Sequence, residues 1–440
     1  MAGRRIPIQL THTVTYLGTI GFVQAISFLL LPIVTRFLEP EQYAAYAIAL
    51  AFANLLGMFG TGWARNVAFR LFFDGASGQA SRSFFVTMLV FQSVVIAALF
   101  SIAIVVTMVL PEPWVPPSTM LAAAAMMLAG DAFIVSLSLL KAERRAANAA
   151  AAEATAAVTR FAATLVGLLA GARSADFLFL AAAGAYAMGA VVSIPVLWRT
   201  LVGELTLDRS LVEQIARRFL TAMPFSVGEW LNNLSDRLIL NFFSTGTVVG
   251  IYAAAHGLGT RLVGSLVAAV FMVTWPDILH SWRGGGAAGA RSAARRQFTL
   301  FLWFTVGPIA ALVLYADTIV LILGDEYRGA VEIAPLVGLA AWVRGFGNCF
   351  NRHFELQRRF WPMSVMTLGG AVVNVTLNLF LVPRYEALGA AVATLISQSL
   401  VMLGFVVTRD RTLVTIPYTE AGLVLATTAT AGALCLWWLG

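Results

Sequence analysis

Residues 84–110 read FFVTMLVFQSVVIAALFSIAIVVTMVL, twenty-seven residues without a single Asp, Glu, Lys or Arg. A helix needs roughly 20 apolar residues to cross a hydrocarbon core ~30 Å thick, so this stretch is long enough to span a bilayer. It has company. Thirteen runs of this kind are expected to be spans: 14–34, 43–62, 84–110, 119–140, 147–171, 176–198, 219–243, 250–275, 297–318, 331–351, 361–382, 387–407 and 418–439. Membrane β-barrels need strands of ~10 alternating residues, a pattern this chain lacks. Composition agrees: of 440 residues 59% are apolar and 12% charged, where soluble domains run nearer ~45–50% and ~25%. Mean hydropathy is +0.82. So few charged side chains do not clothe soluble surfaces. Disorder and disulfide scaffolds are excluded too, since the chain is neither polar nor cysteine-dense; its two cysteines, Cys349 and Cys435, lie in apolar runs. The expected fold is an all-α polytopic membrane protein.

The basic residues orient the spans. With the N-terminus on the cytoplasmic side, inside segments hold twenty-one of the 29 Arg and Lys residues, outside segments four, and four fall within spans. That asymmetry is the positive-inside pattern, so the net charge of +7 is mostly a topology signal. It does not mark a nucleic-acid surface, because no basic patch stands on a soluble face. Arg4 and Arg5 precede the first run, which is too long for a signal-peptide core of ~7–15 residues and has no small-residue cleavage site after it. The first run is therefore expected to be an uncleaved span.

The longest inside loops are expected at 199–218 and 276–296. The first reads as an amphipathic surface helix, with Leu211, Ile215 and Leu220 opposite Glu213, Arg217 and Arg218. It separates six spans from six, giving an expected lobe 1–200, a cytoplasmic linker 201–218, a second lobe 219–408 and an extra span in 409–440. The halves echo each other: Ala45-Tyr46-Ala47-Ile48-Ala49 and Ile251-Tyr252-Ala253-Ala254-Ala255 each follow a short outside turn. Such echoes mark internal repeats in transporters; chance in an alanine-rich chain is the other reading.

Most enzyme chemistries lack their parts. Lys141 is the sole lysine and has no glycine-rich approach, so there is no phosphate-cradling P-loop. His12, His256, His280 and His353 are too scattered for a HExxH-type zinc site. No G-x-S-x-G elbow is present. No metal and no cofactor are expected, and the chain is not expected to be an enzyme.

Charges placed within spans are costly and normally face a polar interior. In span seven Ser226, Glu229, Asn232, Asn233, Asp236 and Arg237 recur at helical spacing on one face. The stripe is either an interhelical hydrogen-bond seam or the lining of a water-filled cavity. Span five carries Glu153 and Arg160; span ten aligns Arg344, Asn348 and Asn351; span eleven holds Asn374 and Asn378 one turn apart. Span eight has His256 and Arg261, and Asp131 is a lone carboxylate in span four. Arg160, Arg261 and Arg344 have no acidic residue within one turn on their own helix. Arginine keeps its charge when desolvated and grips phosphate with a planar fork, so these residues point to an anionic, phosphate-bearing cargo. The alternative is structural pairing, Arg160 with Glu153 or Asp131 and Arg261 with Glu229. Asp131, Glu153, Glu229 and Asp236 are the acidic residues placed inside spans and hence the candidates for carrying a coupling ion, Glu229 before Asp236 because Arg237 adjoins the latter.

Several stretches form a recognisable series: Ala222-Met223-Pro224; Asn233-Leu234-Ser235-Asp236-Arg237-Leu238-Ile239-Leu240; Gly250-Ile251-Tyr252; Leu323-Gly324-Asp325-Glu326-Tyr327; and Asn374-Val375-Thr376-Leu377-Asn378 with Val382-Pro383 and Leu388-Gly389-Ala390-Ala391. At the front stand Leu31-Pro32 and Arg36-Phe37-Leu38-Glu39-Pro40-Glu41-Gln42-Tyr43. In this order, over about 14–407, the chain resembles the polysaccharide-transporter (Wzx-type O-antigen flippase) family of the MOP flippase superfamily. The resemblance implies two six-helix lobes around a central cavity that opens alternately to each side. It implies an undecaprenyl-diphosphate-linked oligosaccharide as cargo, moved across the bacterial inner membrane, with membrane lipids, a polysaccharide polymerase and glycosyltransferases as its associates. On that reading Arg160, Arg261, Arg344 and Arg237 bind the diphosphate, with Asn232, Asn233, Asn348, Asn374 and Asn378 lining the cavity. Two other readings stand beside it. One is a cation-coupled multidrug exporter of the same superfamily, against which the excess of span arginines over carboxylates speaks. The other is a polytopic glycosyltransferase or polymerase, for which the longest expected outside loop, 319–330, is short.

Overall fold

A computed structural model of the chain describes residues 8–60, 82–109, 115–143, 145–199, 206–357 and 359–414, with single positions at 201, 203, 204, 418–419 and 421–424; side chains at 8–17, 59–60, 211 and 215–225 lie outside the description. The described residues form helices α1 Ile8–Phe37, α2 Pro40–Gly60, α3 Arg82–Val109, α4 Pro117–Ala142, α5 Ala146–Leu169, α6 Ala175–Trp198, α7 Arg209–Phe243, α8 Gly246–Leu314, α9 Ala316–Val320, α10 Ile333–Phe350, α11 Arg352–Leu356 and α12 Phe360–Thr408, with no strand among them. Eight described helices are long and apolar enough to cross a membrane. On α3, Val94, Ile102, Val105 and Met108 stand exposed, as suits a surface that meets lipid tails instead of water.

Twelve of the thirteen expected spans coincide with helical segments; of the thirteenth, 418–439, only 418–419 and 421–424 are described, and the rest lies outside the described residues. Arg4, Arg5, Arg65, Arg70, Arg144 and Arg358, which entered the topology count, also lie outside them. Two helices hold two spans each. The 69-residue α8 breaks at Gly285 and Gly286, the latter at φ 58, a left-handed angle that glycine adopts at little cost. The 49-residue α12 breaks at Glu386, φ 46.

Both long inside segments are largely helical. The segment 209–218 is not a separate surface helix: it runs unbroken into span seven as α7, 35 residues long, or about 52 Å at ~1.5 Å per residue. The segment 276–296 is helical on both sides of the glycine break. Hydropathy marks where lipid contact ends; backbone hydrogen bonds carry each helix on past that point.

The chain packs into two compact units, Met1–Trp230 and Leu231–Gly440. In the first, α4 packs along α6, α5 lies against α6 and α1, and α3 covers α4. Small residues let these helices close up: a Cβ at Gly189 would come within 2.6 Å of the Phe133 ring. In the second, α10 packs against both α8 and α12. There a Cβ at Gly259 of α8 would meet the backbone N of Gly338 of α10 at 2.8 Å, the small-residue contact typical of helices in lipid.

Candidate functional site

Within Leu231–Gly440 the helices leave a cavity of about 330 Å³. From α7, Asn232 and Asn233 line it; from α8 comes the face running through His256, Thr260, Gly264, Val267 and Phe271. The α10 wall carries Arg344 and Asn348 one turn apart beside Val337, and Thr394 and Gln398 reach it from α12. These spacings, mostly three or four residues, follow from helical geometry. No carboxylate is among the described lining residues. One cation, several amides and hydroxyls and an apolar wall make an environment suited to an anion with polar groups attached.

The polar stripe of α7 does two jobs. Asn232 and Asn233 face the cavity, whereas Asp236 and Arg237 are buried at 1% and 8% exposure. Arg344 Nη1 donates to Asn233 Oδ1 at 2.7 Å, and Arg237 Nη1 donates to the Asn233 carbonyl at 2.8 Å. Arg237 also lies 3.5 Å from Asp236 Oδ1, and its Nη2 is 3.2 Å from His256 Nδ1. Tyr252 Oη donates to Asp236 Oδ2. The D-R pair and the G-x-Y opening of the next span are therefore parts of a single network. Asn232 Nδ2 donates to the Thr367 carbonyl at 3.0 Å, tying α7 to α12.

The structure brings Asn232, Asn233, Arg344 and Asn348 to this cavity, and Asn351 donates to Asn348 Oδ1 at 3.2 Å. It places the other candidates elsewhere. Asn374 and Asn378 are not lining residues: both are fully buried between the two arms of α12, where Asn374 Nδ2 reaches Thr394 Oγ1 at 3.3 Å and Ser397 Oγ at 3.2 Å. Asn378 Nδ2 donates back to Asn374 Oδ1 at 3.1 Å. Arg261, half-buried, is not among the described lining residues, although seven residues separate it from Ala268, which is, so it stands at the edge of that face. Arg160 belongs to Met1–Trp230, where its Nη2 lies 3.4 Å from Tyr46 Oη. Of its two expected partners, Glu153 instead pairs with Lys141 at 2.6 Å, and Asp131 is buried in α4. Glu229 is half-buried on α7. Among the described residues no three His, Cys, Asp or Glu side chains gather as metal ligands.

Two neighbours of the cavity are not among the candidate site residues of the sequence. His256 lines the cavity and meets Arg237, although nothing in its own stretch signals either contact. Arg352, counted as an inside-loop arginine, is buried: its Nε donates to Gln297 at 3.0 Å, Nη1 to Glu355 at 2.7 Å, and its guanidinium lies 4.6 Å from the Phe271 ring centroid and 4.9 Å from that of Trp275. It fixes the Phe271 end of the cavity wall.

The profile of a family described as "Polysaccharide biosynthesis protein" matches residues 10–282. A protein of Haloferax volcanii named "Probable flippase AglR" is 26% identical over 186 residues, 39% of this chain and 38% of that protein. The chain thus spans about two fifths of the curated relative it matches. Among solved structures, the lipid II flippase MurJ in an inward closed conformation superposes with a TM-score of 0.77 at 13% identity, over 96% of this chain and 91% of that one. The MATE multidrug transporter DinF-BH gives 0.63 at 16% identity over 94% and 98%. An inward-facing MATE family transporter of the MOP superfamily gives 0.59 at 15% over 87% and 93%. These likenesses show the fold: a multi-pass helical membrane protein built as MurJ and the MATE transporters are.

Proposed function

We propose, for a chain that belongs to the polysaccharide biosynthesis protein family, that it flips an undecaprenyl-diphosphate-linked oligosaccharide from the cytoplasmic to the outer leaflet of the bacterial inner membrane. The motion is alternating access between lobes 1–200 and 219–408 joined by the linker 201–218, with the N-terminus cytoplasmic and a last span in 409–440. The product feeds O-antigen or exopolysaccharide assembly, with glycosyltransferases supplying the cargo and a polymerase receiving it.

The observation that supports this reading most is Arg344. Its guanidinium faces a cavity lined by amides and hydroxyls, and no carboxylate lies among the described lining residues. A permanent cation there attracts phosphate, and the amides serve the sugar hydroxyls. Arg160 and Arg261 are the further candidates for diphosphate contact. The names of two similar proteins, a probable flippase and a lipid II flippase, accord with it. Asp131, Glu153, Glu229 and Asp236 remain the coupling candidates. Glu153 pairs with Lys141, and Asp236 with Arg237 and Tyr252; Glu229 comes before Asp236 because Arg237 adjoins the latter.

A multidrug exporter is the second reading, favoured by the fold shared with DinF-BH. The purified protein in vesicles separates the two. A fluorescent lipid-diphosphate sugar and a cationic dye are offered with and without an imposed proton or sodium gradient. The proposal expects the sugar lipid to change leaflet and the dye to stay. Dye export without sugar-lipid movement would overturn it.

A further inference from the structure

We infer that His256 is a cargo-binding hydrogen-bond donor whose ring proton is assigned to Nε2 by Arg237, so that Arg237 positions a ligand-binding group instead of touching the ligand. The inference rests on the reading of the cavity as the cargo site.

Arginine has donors and no acceptor, so a histidine nitrogen facing a guanidinium supplies its lone pair. Arg237 Nη2 lies 3.2 Å from His256 Nδ1. Nδ1 is then the acceptor, and the neutral ring carries its hydrogen on Nε2. His256 lines the cavity, so this hydrogen belongs to a group available to cargo.

Arg237 is committed elsewhere. Its Nη1 serves the Asn233 carbonyl and Asp236 Oδ1, its Nη2 serves the imidazole, and Asp236 is itself fixed by Tyr252 and by the Arg237 backbone N–H at 2.8 Å. Second partners of this kind set ring orientation and tautomer at many histidine sites. The charged and titratable groups around the imidazole are Arg237 and Asp236 from α7, Tyr252 from its own helix and Arg344 from α10; α12 contributes the neutral Thr394 and Gln398 to the same cavity.

Asn233 ties the arrangement together. Its carbonyl accepts from Arg237 and its side-chain oxygen from Arg344. One residue thereby sets both a permanent cation and the arginine that fixes the neutral donor. A pair of this composition fits the junction of a glycosyl phosphate: the guanidinium takes phosphate oxygens, and the imidazole N–H takes an ester oxygen or a sugar hydroxyl. A neutral second donor adds specificity with less attraction than a second cation, which keeps the cargo releasable.

Two substitutions split the two ring nitrogens. In His256→Asn the amide oxygen stands where Nδ1 accepted from Arg237, and the Nε2 donor is gone. In His256→Gln the longer amide reaches where Nε2 stood, keeping a donor and dropping the acceptor. Binding of a labelled undecaprenyl-diphosphate sugar to the detergent-purified protein should weaken about tenfold in His256→Asn, the loss of one hydrogen bond of ~1.4 kcal/mol. It should stay within about threefold of wild type in His256→Gln, while the melting temperature falls in Gln more than in Asn. Nitrogen NMR of protein labelled at its four histidines gives a readout that needs no variant to fold: His256 should show the Nε2–H tautomer. Wild-type binding by His256→Asn, equal losses of binding in Asn and Gln tracking their melting temperatures, or an Nδ1–H tautomer would each overturn the inference. Arg344→Gln is run in parallel. If it too binds normally, the reading of the cavity as the cargo site fails; if it weakens while His256→Asn does not, only this inference does.

Discussion

In Met1–Trp230 the seventh residue of α2, Tyr46, lies 3.4 Å from an arginine of α5, Arg160; in Leu231–Gly440 the seventh residue of α8, Tyr252, donates to a carboxylate of α7, Asp236. The two tyrosines belong to the stretches that echo each other in sequence, and each meets a charged side chain from another helix. What surrounds them differs. In the first unit polar groups are handled in small sets: Lys141 with Glu153, Ser136 with Ser193 at 2.7 Å, Thr119 with Asp176. In the second, Tyr252, Asp236, Arg237, His256, Asn233 and Arg344 form one connected chain of contacts that reaches a cavity. Isolated pairs hold helices together. The connected network presents one end of itself to a cavity.

The sharpest way to break this comparison is at Asp236. Removing one partner of a buried ion pair leaves an uncompensated charge, at a cost of about 3–5 kcal/mol. Asp236→Ala should yield little folded protein by size-exclusion of detergent extracts, with partial recovery in the double variant Asp236→Asn, Arg237→Gln. Normal yield from Asp236→Ala alone would mean that the network does not bear on stability. The matched tyrosines come next. Tyr252→Phe removes a hydrogen bond to a charged acceptor, about 1.5–3 kcal/mol, whereas Tyr46→Phe removes a long contact worth about 1 kcal/mol or less. Detergent melting temperatures of the two variants should fall unequally, Tyr252→Phe further. Equal shifts would erase the difference between the units. Smallest is Lys141→Ala: the pair with Glu153 has side chains 32% and 17% exposed, and such pairs are worth about 0–1 kcal/mol. A melting-temperature loss as large as that of Tyr252→Phe would make this pair part of a larger set.

Helical class and the twelve described spans were legible because they rest on run length and charge, both local properties. Gly324 was legible as part of a motif, and its φ of 102 gives the reason a glycine opens the turn before Tyr327. The cavity was partly legible. Helical spacing put Arg344 and Asn348 on one face of α10 and Asn232 and Asn233 on that of α7. It was silent on which faces meet, so Asn374, equally regular, bridges the arms of α12 and Asn378 donates back to it. Arg352 illustrates the limit of charge counting: an arginine just past an apolar run reads as a loop cation, while aromatic rings and Gln297 bury it. His256 was illegible as a donor because its role depends on Arg237, nineteen residues away.

The central claim is that the cationic cavity of Leu231–Gly440 binds a phosphate-bearing lipid through Arg344, and direct binding tests it. Labelled undecaprenyl diphosphate is titrated into the purified wild type, Arg344→Lys and Arg344→Gln, each checked for an unchanged melting temperature. A charge-assisted contact worth more than ~1.5 kcal/mol predicts at least about a tenfold loss for Arg344→Gln, and a loss also for Arg344→Lys, which keeps the charge without the fork. Wild-type affinity in Arg344→Gln would contradict the account.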